Sequence, residues 1–189
     1  MCGGEGSRLD VAAEKPLFEI DGVPMVDRVI DALAASAIDS IFAVGSPAVP
    51  ETAAHLEAMV GAADGGGLDG YIEGTGEGYV ADLHMSMETV DLPVLTVAAD
   101  LPLLDGPAID WVLETYERGS LTVSVPVALK ESLGVSVSGT TNHEGTTVTA
   151  TGVNVVGDPE PELITMTDDT RFAVNVNRPR DAAVAEARR

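Results

Sequence analysis

Cysteine, lysine and aromatic side chains are all scarce in this sequence, and each shortage excludes something. A lone cysteine, Cys2, leaves the 189 residues without an internal disulfide, which accords with a reducing, cytoplasmic setting. No apolar run approaches the roughly 20 residues of a membrane-spanning helix. No basic and apolar leader opens the chain, so neither a membrane span nor a signal peptide is expected. His55, His84 and His143 are not clustered at zinc-ligand spacing. Lysine occurs only at Lys15 and Lys130, and 10 basic residues face 31 acidic ones, for a formal net charge of −21. Such a surface repels nucleic acid and anionic lipid, so neither is expected as a partner.

What is present suits one packed domain over 1–189. The hydrophobic fraction of 45% is ample for a core. The carboxylates are dispersed along the chain rather than gathered in a tail. With little lysine and many small residues, this composition resembles that of proteins from salt-loving microbes. In 1 M salt the Debye length is about 3 Å, so surface self-repulsion is largely screened.

Hydrophobic periodicity orders the elements. Pro16–Ile20 is a short apolar stretch closed by an Asp21-Gly22 turn. From Pro24, apolar positions recur at helical spacing to Ala37. Ile41–Val44 reads as a buried strand, Glu51–Val60 as a helix and Ala62–Gly67 as a surface loop. Tyr71–Glu73 reads as a strand, followed by a helix carrying Val80, Leu83 and Met87. Pro93–Ala99 is a strong buried strand, and Ile109–Tyr116 marks a helix that Asp105 caps. Leu121–Val127 reads as a strand and Leu133–Val156 as an antiparallel excursion. Phe172–Val176 is expected to be a last strand and Pro179–Arg189 a closing helix. The alternation predicts an α/β fold, a Rossmann-like three-layer sandwich with a mostly parallel sheet.

The chemistry is concentrated at glycine loops and at one carboxylate. Cys2-Gly3-Gly4-Glu5-Gly6-Ser7-Arg8-Leu9 brings a backbone able to approach an oxygen-rich ligand. Arg8 offers a fork of donors and Lys15 a point charge. The loop is neither a P-loop nor a dinucleotide fingerprint. Its alternative reading is a glycine-rich terminus with two solvated cations. Against that stands the placement of one of only two lysines behind the loop and before Pro16. Val94–Ala99 delivers Asp100 to the carboxyl edge of a strand, where open α/β sheets hold ligands. Trp111 reads as core or interface rather than a base-stacking platform, and Cys2 has no histidine near it in sequence to support covalent catalysis.

Gly-Gly-x-Gly-Ser-Arg-Leu, the following Glu-Lys-Pro-Leu and the apolar-Asp-Gly turn resemble the signature of MobA-like nucleotidyltransferases. The resemblance implies that Gly3, Gly4, Glu5, Gly6, Ser7 and Arg8 wrap a triphosphate and that Lys15 neutralises it. Asp100-Leu101-Pro102 is similar to the family's Asp-x-Pro motif, whose aspartate holds Mg²⁺. Asn175, from a segment resembling apolar-Asn-x-Asn-x-Pro, is the implied second metal ligand. Asn177, two residues on, would share its face on a strand; both also read as turn asparagines.

Further patches resemble the archaeal adenosylcobinamide-phosphate guanylyltransferase branch. They are Gly76-x-Gly78-Tyr79-apolar-x-Asp82-Leu83, Gly152-Val153-Asn154-Val155-Val156, and Ser46-Pro47 after the second strand. Ser46, Thr75, Gly76 and Gly78 are thereby implied in nucleotide binding, and Gly152 and Asn154 in acceptor binding. The implied activity moves GMP from GTP to a corrinoid phosphate acceptor and releases pyrophosphate. A molybdenum-cofactor or sugar-phosphate nucleotidyltransferase remains the alternative within the class, and a non-catalytic nucleotide-binding regulator the alternative outside it. The oligomeric state is open, a homodimer included. In the family a buried strand precedes the glycine loop. Here Met1 stands where that strand would end, so a gap in the sheet is expected, with a gene start set too late as its expected source.

Thermal melting temperatures should rise steadily as KCl is added toward molar concentration. A flat series would remove the salt-dependence reading.

Overall fold

The computed structural model describes residues 1–2, 9, 13–61 and 67–188. Gly3, Gly4, Glu5, Gly6, Ser7 and Arg8 lie outside the described residues, as does most of the loop expected at Ala62–Gly67. The chain first makes a 3-10 turn at Lys15–Leu17 and a small hairpin, β1 (Glu19–Ile20) and β2 (Val23–Pro24). Asp21 and Gly22 have φ of 49° and 73°, the left-handed pair that a two-residue hairpin loop requires.

Helix α1 (Met25–Ala34) buries Met25, Val26, Val29, Ile30 and Ala32 along one stripe. Pro24 sits at its N-cap rather than at its first helical position. Strands β3 (Phe42–Val44) and β4 (Gly70–Ile72) pair in parallel, joined across α2 (Pro50–Met59). Helix α3 (Tyr79–Ser86) follows, then β5 (Val94–Val97) and α4 (Gly106–Thr115). Asp105 caps α4 as expected, accepting from the Ala108 N–H at 2.9 Å.

A separate five-stranded sheet has strand order β5-β8-β6-β9, with β7 paired to β8. Its members are β6 (Ser120–Pro126), β7 (Thr141–His143), β8 (Thr146–Val156) and β9 (Glu162–Met166). The long β8 runs antiparallel to both β5 and β6, whereas β9 is parallel to β6. The α/β class holds, and its sheet is mixed. Three elements depart from the sequence expectations. Val127–Leu133 forms α5, closed by Gly134 in the left-handed conformation. Strand β9 falls in a stretch with no assignment. Phe172–Val176 is not a strand: Thr170–Ala173 makes a short helix, α6, whose N-cap Asp169 accepts from the Arg171 N–H. That cap wins over the apolar run because it satisfies an otherwise orphaned donor. Helix α7 (Pro179–Glu186) closes the described chain.

Met1 and Cys2 bridge the β3–β4 sheet and the five-stranded sheet. The Cys2 N–H donates to the Val44 carbonyl at 2.8 Å. The Met1 amino group donates to the Val97 carbonyl at 3.1 Å, and the Ala99 N–H donates back to the Met1 carbonyl at 3.3 Å. These contacts join β3 to the end of β5. Beside them lies a slot of about 620 Å³, walled by β3, β5 and the Val26–Leu33 face of α1.

The main core is sealed between sheet, α1 and α4. Phe172, only 1% exposed, packs against Val112, Val123 and Val153 in that cluster. Its ring meets Trp111 at 5.6 Å between centroids, with the planes tilted by 59°. Trp111 is therefore a partly buried side chain packed against the core. Phe172→Ala should cost about 3–5 kcal/mol. Denaturant unfolding should show a lowered midpoint at an unchanged slope, and an unchanged midpoint would contradict the packing analysis.

Candidate active site

Lys15 opens the 3-10 turn, and Asp100 follows β5 at its carboxyl end. The Lys15 Nζ donates to Asp100 Oδ2 at 2.6 Å and to Asn177 Oδ1 at 2.7 Å. The paired Lys15 and Asp100 side chains are 17% and 16% exposed. The pair is therefore partly withdrawn from water yet open to a ligand. The Val176 N–H donates to the Asp100 carbonyl at 2.9 Å. That bond lays the Val174–Asn177 segment alongside Asp100, so both asparagines reach the cluster without a strand.

Asn175 is buried, and both the nitrogen and the oxygen of its amide are hydrogen-bonded. Its Nδ2 donates to Asp100 Oδ1 at 2.9 Å and to the Thr151 carbonyl at 2.8 Å. Its Oδ1 accepts from Lys130 Nζ at 2.7 Å. Lys130 projects from α5 and is 3% exposed. Burial lowers its pKa, against the opposing pull of Asp100 and Asp181. Asp181, wholly buried at the start of α7, accepts from the Ser136 N–H and hydroxyl and from the N–H groups of Asn177 and Arg178. It thereby fixes the backbone that carries Asn177.

A cleft of about 520 Å³ opens beside this cluster, lined by Lys15, Pro16, Ser46, Ala48, Gly76, Gly78, Tyr79, Asp82 and Asp100, with Met1 and Cys2 at its floor. The glycine loop at 74–78 is shaped by Asp82. This buried carboxylate accepts from the Thr75 N–H at 2.6 Å, the Thr75 hydroxyl at 2.8 Å and the Gly76 N–H at 3.3 Å. Gly76 and Gly78 take φ of 76° and 109°, which keeps side chains out of that wall. Across the cleft, Ser46 follows β3 and its hydroxyl accepts from the Ala48 N–H. Glu14 closes the same side. It accepts from the Glu51 and Thr52 N–H groups at the start of α2. Burial pushes its carboxyl up, but the bonds from Thr52 and Glu51 outweigh that and lower its pKa.

The expected residues thus divide in three. Lys15, Asp100 and Asn175 form one bonded cluster, and Ser46, Gly76 and Gly78 line the cleft beside it, with Thr75 bonded behind them. Asn154 stands at its rim, its Nδ2 3.5 Å from the Tyr79 hydroxyl, which also meets the Thr96 hydroxyl at 3.1 Å. Gly152 faces Ala98 from β8 with φ of 89°, too close for a Cβ. The remaining group, Gly3 to Arg8, lies outside the described residues. Lys130, Asp181 and Glu14 carry no role that the sequence alone indicates, and neither do Asp82 and Tyr79 individually within their motif. The one signal for Lys130 was the scarcity of lysine itself. His55 pairs with Asp27 at 2.6 Å, away from the cluster. Among the described residues, no group of three or more His, Cys, Asp or Glu could hold a metal, and no helix is long and apolar enough to cross a membrane.

The chain is 26% identical to the adenosylcobinamide-phosphate guanylyltransferase of Methanocaldococcus jannaschii, over 98% of this chain and 93% of that protein. Among solved structures it is similar to a Bacillus anthracis protein described as a glucose-1-phosphate thymidylyltransferase. The TM-score there is 0.63, with 14% identity over 98% of this chain and 93% of the other. A hypothetical transferase from Thermus thermophilus gives a TM-score of 0.58 and 21% identity, over 83% of this chain and 63% of that one. These likenesses show the nucleotidyltransferase type of fold. Residues 1–143 match the MobA-like NTP transferase domain, and the chain belongs to that family.

Proposed function

We propose that this chain transfers GMP from GTP to adenosylcobinamide phosphate. The observation that carries the reading is the Lys15–Asp100–Asn177 cluster at the edge of the cleft. An ammonium group has three donors. Lys15 commits two of them and keeps one for a phosphate oxygen. Nearly full-length similarity to a guanylyltransferase supports the choice of nucleotide and acceptor.

The chemistry needs no protein nucleophile. An oxygen of the acceptor phosphate attacks the α-phosphorus of GTP in line, the bond to the β-phosphate oxygen breaks, and pyrophosphate departs with that electron pair. Lys15 offsets charge growing on the α-phosphate oxygens, which is the larger part of catalysis in such transfers. The glycine loop with Arg8 is assigned to the leaving β- and γ-phosphates. Thr75, Gly76 and Gly78 are assigned to the nucleoside, and Asn154 with Tyr79 to the acceptor.

The residues present fit Mg²⁺. A carboxylate has about four lone-pair sites, and Asp100 uses one oxygen for Lys15 and the other for Asn175, leaving sites on both. Mg²⁺ is commonly held by one or two carboxylates together with substrate phosphates. A single acidic side chain beside a triphosphate cleft meets that description. Bound there, the ion would draw charge from the phosphates and make the α-phosphorus a better electrophile.

Pyrophosphate release, measured in high KCl with each nucleoside triphosphate against each acceptor, tests the reading. GTP with adenosylcobinamide phosphate should give the fastest release. Faster release with a molybdopterin or sugar phosphate would reassign the acceptor, and no release with any pair would favour a non-catalytic nucleotide-binding protein. Lys15→Ala should lower kcat by about 10²–10³-fold while the melting temperature is kept. A wild-type rate in that variant would remove the role given to Lys15.

A further inference from the structure

We infer that Lys130 is a positioning residue: it turns the Asn175 amide so that Asn175 donates to Asp100 and does not ligate the metal. The inference rests on the reading of Asp100 as the metal-holding carboxylate. Its geometry is a buried relay. Lys130 Nζ donates to Asn175 Oδ1 at 2.7 Å, and Asn175 Nδ2 donates to Asp100 Oδ1 at 2.9 Å and to the Thr151 carbonyl at 2.8 Å.

The orientation of the amide is dictated by its neighbours. A backbone carbonyl only accepts, and an ionised carboxylate only accepts. Turning the amide over would set its oxygen against two other oxygens and its NH₂ group against the Lys130 nitrogen. Three favourable contacts would become three repulsive ones in a buried place, where unmade hydrogen bonds cost most. The family resemblance makes Asn175 a ligand, and an asparagine ligates through its oxygen. Here that oxygen points away from Asp100 and onto Lys130.

The consequence is a division of labour between the two lysines. Lys15 meets Asp100 directly and faces the cleft. Lys130 meets it through Asn175 from the interior. Groups that orient a metal's ligand from behind commonly carry 10–100-fold effects on metal affinity or activity. The relay also leaves the second oxygen of Asp100 to Lys15.

Metal retention, read without turnover, tests this. The measurement is the Kd of Mn²⁺ for the protein with GTP bound, by electron paramagnetic resonance. Lys130→Met keeps length and apolar volume but removes every donor. Its Mn²⁺ Kd should rise about 10-fold, with the metal-free affinity for GTP unchanged. Asn175→Asp keeps the shape and separates the two roles by sign. As a positioning donor, Asn175 cannot be replaced by a carboxylate beside Asp100, so Mn²⁺ should bind more weakly. As a ligand, the new carboxylate would bind Mn²⁺ more tightly. Unchanged Mn²⁺ affinity in a folded Lys130→Met protein, or tighter binding in Asn175→Asp, would overturn the inference. If Lys130→Met fails to fold, the sign of the Asn175→Asp effect decides. Each variant is compared with wild type on the same triphosphate, so an error in the acceptor leaves the comparison intact.

Discussion

One carboxylate, Asp100, gathers the cations and amides of this site around itself. It takes an ammonium on one oxygen and an amide on the other, and its backbone carbonyl takes the Val176 N–H. Four separate parts of the chain meet there: the 3-10 turn, the end of β5, α5 and the segment before α7. An isolated buried charge would be prohibitively costly. A carboxylate with every atom partnered is not, and it pins the elements that supply its partners. The rest of the cleft can then be built from loops.

Those loops are held by other acids. Asp82 folds the 74–78 loop around its own oxygen, Glu14 receives the first N–H groups of α2, and Asp181 receives those of Asn177 and Arg178. In each case a carboxylate accepts from backbone N–H groups of a loop or of a helix start, a favourable place for negative charge. Part of the large acidic excess therefore serves the backbone, and of the two lysines Lys15 stands at the cleft while Lys130 acts from the interior.

The fold was largely legible in the sequence, and the site only partly. Helical spacing from Met25 located α1, and the unbroken apolar run before Asp100 located β5, because these signals are local and long. The seven-residue α5 was hidden in a valine- and leucine-rich stretch, where both states bury the same side chains. Phe172–Val176 misled because its apolar run suits a strand, while the deciding contact is the Asp169 cap. Lys15 and Asp100 could be named from motifs. Their joining with Asn177 and Lys130 could not, since the partners lie 45 to 162 residues apart along the chain.

The depth of Lys130 also bears on how this protein and its solvent interact. Dissolved ions screen charges they can approach, and a side chain 3% exposed is beyond their reach. Raising ionic strength quiets the repulsion among surface carboxylates and leaves the interior ammonium's hold on Asn175 nearly intact. Brine and pure water would thus differ in how firmly the outer shell holds together, while the interior contact between Lys130 and Asn175 changes little.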